Sequence, residues 1–241
     1  MRQVLSKIFV LILMSLTLSL AGCSDTYQWN EKLRLEVETP TGVKAASSVQ
    51  SVQKIHTYWG LPEMIGVRTK FRGEAVVMEV RPGRYLFALF SSKLSRSRRF
   101  GLFYQHGLDE VYQRELGVQK GVHKHDEIKD RYELTMRLKG RAVTIPQKYY
   151  PLLVTFKDIN DPASVGLVDP DNLAETFGPN IELKRITIEI TDEPVTRGEV
   201  EKVLGWFYNV DRIVPKSQVT SYYTRKKPIP SKGDFIKEIR K

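Results

Sequence analysis

The sequence predicts a β-rich α+β domain: an antiparallel sheet or sandwich accompanied by a few short helices. Three stretches carry that prediction. Leu33, Leu35 and Val37 alternate with Arg34, Glu36 and Glu38, the period of a strand with one buried face. Gly73 to Val80 and Arg84 to Phe90 are strand-like runs separated by Arg81-Pro82-Gly83. They read as a hairpin, because Pro presets φ early in a turn and Gly accepts positive φ after it. Within Glu182 to Thr191, Ile186, Ile188 and Ile190 alternate with Arg185, Thr187 and Glu189.

Composition agrees with a globular chain. The 241 residues are 41% hydrophobic and 10% aromatic, with a net charge of +10 and a single cysteine. Fibrous, collagen-like and fully disordered classes are excluded. One cysteine also excludes an intramolecular disulfide and a metal cluster built from cysteines.

Taken in order, Tyr27 to Glu38 forms the first strand, and Pro40-Thr41-Gly42 turns the chain. A partner strand lies within Ser47 to Trp59, in a register the pattern leaves open, and Gly60-Leu61-Pro62 breaks it. In the hairpin, Tyr85, Phe87 and Leu89 occupy one face and Leu86, Ala88 and Phe90 the other. Both faces are therefore covered, which places this hairpin centrally in the core. Helices are expected at 108–116 and 126–138, the second with a rough stripe of Ile128, Tyr132 and Leu138 and with Leu134 off the face. A strand follows from Leu152 to Phe156, with Pro151 marking its end. Asp158 to Pro162 is a turn. Asp169 to Gly178 reads as a short helix with Asp169 at the N-cap, Pro170 in the first turn and Gly178 past the end. A last short helix falls between Arg197 and Trp206, and no repeat of fixed period is present.

The N-terminus points to a location. Met1 to Lys7 carries Arg2 and Lys7, Ile8 to Leu20 is uncharged and mainly apolar, and Leu20-Ala21-Gly22-Cys23 ends the run. These are the parts of an export signal. The run is shorter than the roughly 20 apolar residues a spanning helix needs. Leu-Ala-Gly-Cys resembles a bacterial lipobox, which implies that Cys23 is alkylated with diacylglycerol, that cleavage precedes it, and that a fatty acid such as palmitate acylates the new amino group. A thiolate is the chain's best nucleophile for that thioether. Two or three chains anchor a protein stably where one does not. Ser24, rather than Asp, follows the cysteine, which resembles the pattern of outer-membrane over inner-membrane lipoproteins. The expected organisation is a signal peptide over 1–22, one β-rich domain over 23–210, and a basic tail over 211–241. Cleavage removes Arg2 and Lys7 and leaves +8, of which +5 lies in residues 222–241.

The strings GEAVVMEV and PGRYLFALF, YPLLVTFKDINDP, and VDPDNLAETFGPNIELKRITIEITDEPVT, with Gly205-Trp206, resemble a family of uncharacterised bacterial lipoproteins. The likeness covers about two thirds of the mature chain and is weakest between Ser91 and Gly140. It implies a lipoprotein, supplies no catalytic residue or ligand, and does not extend into the tail.

Candidate chemistry is sparse. His123 and His125 would point the same way in an extended segment and suit Zn or Cu, but no further ligands are marked. A polar loop is the expectation, with no metal and no cofactor. Among Asp158, Asp161, Asp169 and Asp171, the stretch Asp158 to Asp161 lacks the alternating order of a calcium loop, and turn formation and N-capping account for all four. No nucleophile elbow, phosphate loop, dinucleotide fingerprint or H-E-x-x-H motif occurs, and no catalytic residue is singled out. The basic residues Arg96, Arg98 and Arg99, and Arg225, Lys226 and Lys227, are candidate contacts to an anionic partner. For an exported chain that partner is an envelope lipid or polymer, not nucleic acid. The expected function is a non-catalytic, lipid-anchored envelope module facing the periplasm, which binds a protein or an anionic component. A periplasmic hydrolase with a loop-built site is the competing reading.

Overall fold

The computed structural model describes residues 23–92, 108–109, 111–115, 117, 125–213 and 230–237. Two antiparallel sheets face each other. The larger orders its strands as residues 236–237, 66–74, 42–57, 24–39, 182–191 and 143–144, and the smaller as 76–81, 84–92, 151–156 and 165–167.

The larger sheet is organised by two 16-residue strands, β1 (Ser24–Thr39) and β2 (Gly42–Thr57), paired end to end from Ser24↔Thr57 to Thr39↔Gly42. At roughly 3.3 Å per residue each runs about 50 Å. The turn falls at Pro40 and Thr41, as expected, and Gly42 supplies the positive φ of 108° that closes it. The pairing also fixes the register that the sequence left open. Tyr27, Trp29, Glu31, Leu33, Leu35 and Val37 share the inner face of β1 and are buried. β9 (Glu182–Thr191) flanks β1 with Ile186, Ile188 and Ile190 on that same face, in phase with Leu35, Leu33 and Glu31. β3 (Gly66–Glu74) pairs with the other side of β2, and β6 (Val143–Thr144) closes the sheet beyond β9.

The smaller sheet contains the expected hairpin, β4 (Val76–Arg81) and β5 (Arg84–Ser92), followed by β7 (Pro151–Phe156) and β8 (Val165–Leu167). Pro151 sits at the first position of β7, where its missing N–H is tolerated. Both faces of the sheet are covered. Val76, Met78, Val80, Leu86, Ala88 and Phe90 join the main core against the larger sheet. Phe87, Leu89, Leu152, Val154 and Phe156 face a second core closed by Val200, Leu204, Phe207 and Phe235.

The helices are short. α1 (His125–Met136) lays Ile128 and Tyr132 on the main core, and residues 108–109 and 111–115 are helical and contribute Leu108, Val111 and Tyr112. α2 (Leu173–Phe177) is capped by Asn172, whose side chain accepts from Glu175 N at 3.3 Å. This corrects the expectation of Asp169 as the cap. The Asp169 carboxylate instead accepts from Asp171 N at 3.2 Å, so it makes a turn one step ahead of the helix. α3 (Glu199–Val203) starts on the Glu74 carboxylate, which accepts from the backbone N–H groups of Gly198, Glu199 and Val200.

Part of the stretch expected as a basic tail belongs to the core. α4 (Lys232–Phe235) leads into β10 (Ile236–Lys237), which pairs with Glu74 and Gly73 of β3. Phe235 has no exposed surface and packs among Phe87, Phe156 and Phe207 at centroid distances of 5.6, 6.0 and 6.1 Å. The physical reason is aromatic burial: one ring in a strongly basic segment is enough to return the chain to the second core.

Candidate functional site

Two features of the β1–β2 ribbon stand out, one at its open end and one inside it. At the open end, Cys23 is exposed and its carbonyl accepts the Tyr58 N–H at 3.1 Å. Cys23 is thus the residue directly before β1, paired across to the residue that follows β2. The connection from β2 to β3 runs through the same end, with a single turn at Pro62–Met64 and positive φ at Gly60 and Gly66. Its apolar side chains point to solvent. Trp59, Leu61 and Ile65 are 54, 52 and 52% exposed, and Tyr58 and Val67 are also exposed. Five of the eight large apolar side chains exposed among the described residues lie in this ten-residue span. Arg68, Lys70 and Arg72 follow on the outer face of β3, all exposed.

Inside the ribbon, inner-face pairs descend from the rim toward the core: Asp25↔His56, Tyr27↔Lys54, Trp29↔Val52, Glu31↔Gln50. Four of these side chains are polar and buried: His56, Lys54, Glu31 and Gln50. Lys54, 1% exposed, donates to the Asp109 carboxylate at 2.7 Å and lies 5.8 Å from the centroid of the Tyr132 ring. Glu31 accepts from Gln50 Nε2 at 2.5 Å, Tyr112 Oη at 3.0 Å and Trp29 Nε1 at 3.3 Å. Burial pushes the Glu31 carboxyl up to about 7, against the opposing pull of the Trp29 and Tyr112 hydrogen bonds and the Lys54 charge. Burial, with the neighbouring Asp25, pushes the Tyr27 hydroxyl up to about 12. The Tyr132 hydroxyl is raised as well, first by burial and then by Asp109. This ladder has the residue types of an acid/base site but is sealed. Glu31 and Lys54 have essentially no exposed surface, so a substrate reaches neither without an opening of the fold. Its chemical role as built is to satisfy charge inside the sandwich.

Cys23 is the one sequence-predicted site residue that the described structure positions. Arg96, Arg98, Arg99, Arg225, Lys226, Lys227 and His123 lie outside the described residues, as does the stretch 1–22. His125 opens α1. No group of three or more His, Cys, Asp or Glu side chains able to hold a metal occurs among the described residues. Asp158 and Asp161 each accept a backbone N–H two residues on, both at 2.9 Å, the turn role expected for them, and Asp169 does the same at 3.2 Å in place of its expected N-cap role. Asp171 accepts from Gln147 Nε2.

No sequence motif marks the rim or the ladder, although both leave traces in the pattern. Parity put Glu31 in phase with Leu33, Leu35 and Val37, hence inward. Trp59, Leu61 and Ile65 are large apolar residues within a Gly- and Pro-broken connection, where polar residues are usual. Comparison with protein-family models, curated proteins and solved structures finds no match for this chain.

Proposed function

We propose that this chain is a lipid-anchored cell-envelope protein: exported on residues 1–22, cleaved before Cys23, acylated there, and held with its β-sandwich facing the periplasm. The fold acts as a non-catalytic binding or structural module for an envelope protein or an anionic envelope component, and Ser24 favours the outer membrane. The observation that carries this reading is the placement of Cys23. The chain's single cysteine follows an apolar run directly and is exposed immediately before β1. That exposure leaves room for a thioether at this position. A cysteine serving as a core thiol would be buried. The exposed Arg68, Lys70 and Arg72 on β3 supply a basic surface in addition to the basic segments expected from the sequence.

Replacing Cys23 tests the anchor. Wild-type protein is expected to incorporate labelled palmitate in a bacterial host and to sediment with membranes. Cys23→Ser should lose the label and accumulate with its signal peptide attached. Undiminished labelling of Cys23→Ser would sink the reading.

A further inference from the structure

We propose that the rim formed by Tyr58, Trp59, Leu61, Ile65 and Val67 is a membrane-seating surface, which lays the open end of the sandwich into the bilayer interface and fixes its orientation. The inference rests on the lipid-anchor reading and adds a protein surface to it. Three observations choose a bilayer as the occupant. The first is position. Cys23 and Tyr58 are hydrogen-bonded neighbours, so acyl chains on Cys23 leave the protein at the rim, and the 22 residues that precede it, including the apolar run Ile8 to Leu20, end at the same point. The second is polarity along the molecule. The opposite end of the ribbon, about 50 Å away by strand length, carries Thr39, Pro40, Thr41 and Gly42 in its turn, with Val43 as its exposed apolar side chain. The third is layering. Trp and Tyr accompany aliphatic residues at the rim, and the exposed cations Arg68, Lys70 and Arg72 step away from it along β3. An apolar band with aromatic edges and cations above it matches the order of acyl boundary, interface and anionic headgroup. Glu63, the carboxylate in residues 58–67, is exposed and shares this loop.

A surface of this kind adds a second attachment signal to the lipid. It also removes tumbling about the anchor, so that the hairpin turn at Pro40 and Thr41 projects away from the membrane.

Trp59 makes the proposal measurable, because Trp29 is buried and Trp206 is half-buried with its indole N–H on Ile159 O at 2.7 Å. The protein would be extracted from membranes, its mass determined, and the sample reconstituted into phosphatidylethanolamine/phosphatidylglycerol vesicles with or without bromine at shallow acyl positions. The expected result is lower tryptophan emission in brominated vesicles, a difference lost in Trp59→Phe and reduced at least twofold in Leu61→Asp/Ile65→Asp. Those two side chains are exposed, so the fold is retained, and unchanged circular dichroism checks it. A lipid-bearing mass with equal emission in both vesicles would overturn the seating surface while leaving the anchor standing. Quenching that survives Trp59→Phe would overturn it too. A mass without lipid would defeat the anchor reading alone, and the emission difference would still decide the rim in that sample.

Discussion

Glu31→Gln tests whether the buried ladder is built as described. In the folded state the Glu31 carboxyl holds its proton up to about pH 7, whereas the unfolded chain releases it near its ordinary value of 4.5. Between those values the folded protein binds more protons than the unfolded one, so stability falls as pH rises through the window and levels off above it. The gap corresponds to a loss of about 3 kcal/mol, a large share of the 5–15 kcal/mol typical of a domain. Gln at position 31 keeps the shape without the charge. Its carbonyl can accept from Trp29 and Tyr112 as Glu31 Oε2 does, and its amide can donate to a flipped Gln50 where Oε1 accepted. The assay is urea unfolding at half-unit steps from pH 4.5 to 8.5. Wild-type stability should decline by about 3 kcal/mol across the range relative to Glu31→Gln, with the two proteins converging at the acid end. Groups common to both proteins cancel in the difference. Parallel pH curves would refute the claim that Glu31 is the buried titrating group.

Two further outcomes follow from the packing. Asp109→Asn leaves the Lys54 ammonium buried without its ion-pair partner and should cost about 3 kcal/mol in urea unfolding, while Lys54→Met/Asp109→Asn recovers most of it; a double variant no more stable than the single one would contradict the pairing. Phe235→Ala removes a fully buried ring from the second core and should cost about 3–5 kcal/mol by thermal or chemical melting, whereas a change below 1 kcal/mol would return the C-terminal segment to the status of a detachable tail.

The sandwich was legible wherever side-chain period alone decides the structure. β9 occupies the predicted Glu182–Thr191, and the hairpin covered on both faces is β4–β5 with a core on each side. Elements set by partners were not legible. β3 was missed because Val67, Thr69 and Phe71 alternate with Arg68, Lys70 and Arg72 beside Gly66 and Gly73, and the weak apolar face of this strand depends on β2. Gly73 and Glu74, which in the sequence run on into the hairpin strand, belong to β3, and Gly73 marks a close approach: at φ 151° a Cβ would meet Gln50 Cβ at 2.9 Å. The Asp169 cap failed for a local reason, since Pro170 at a first helical turn and Asn172 as a cap are both sound signals and the chain uses the later one. Cys23 stands out in the sequence by its flanks. The rim does not, because its apolar residues belong to no period and share an end with Cys23 only once β1 and β2 pair.

Intact mass of the mature chain extracted from membranes tests the central claim most directly. The expected result is a polypeptide that begins at Cys23 and carries both a diacylglyceryl thioether and an N-terminal acyl group. A chain that keeps residues 1–22, or that starts at an unmodified Cys23, would contradict it.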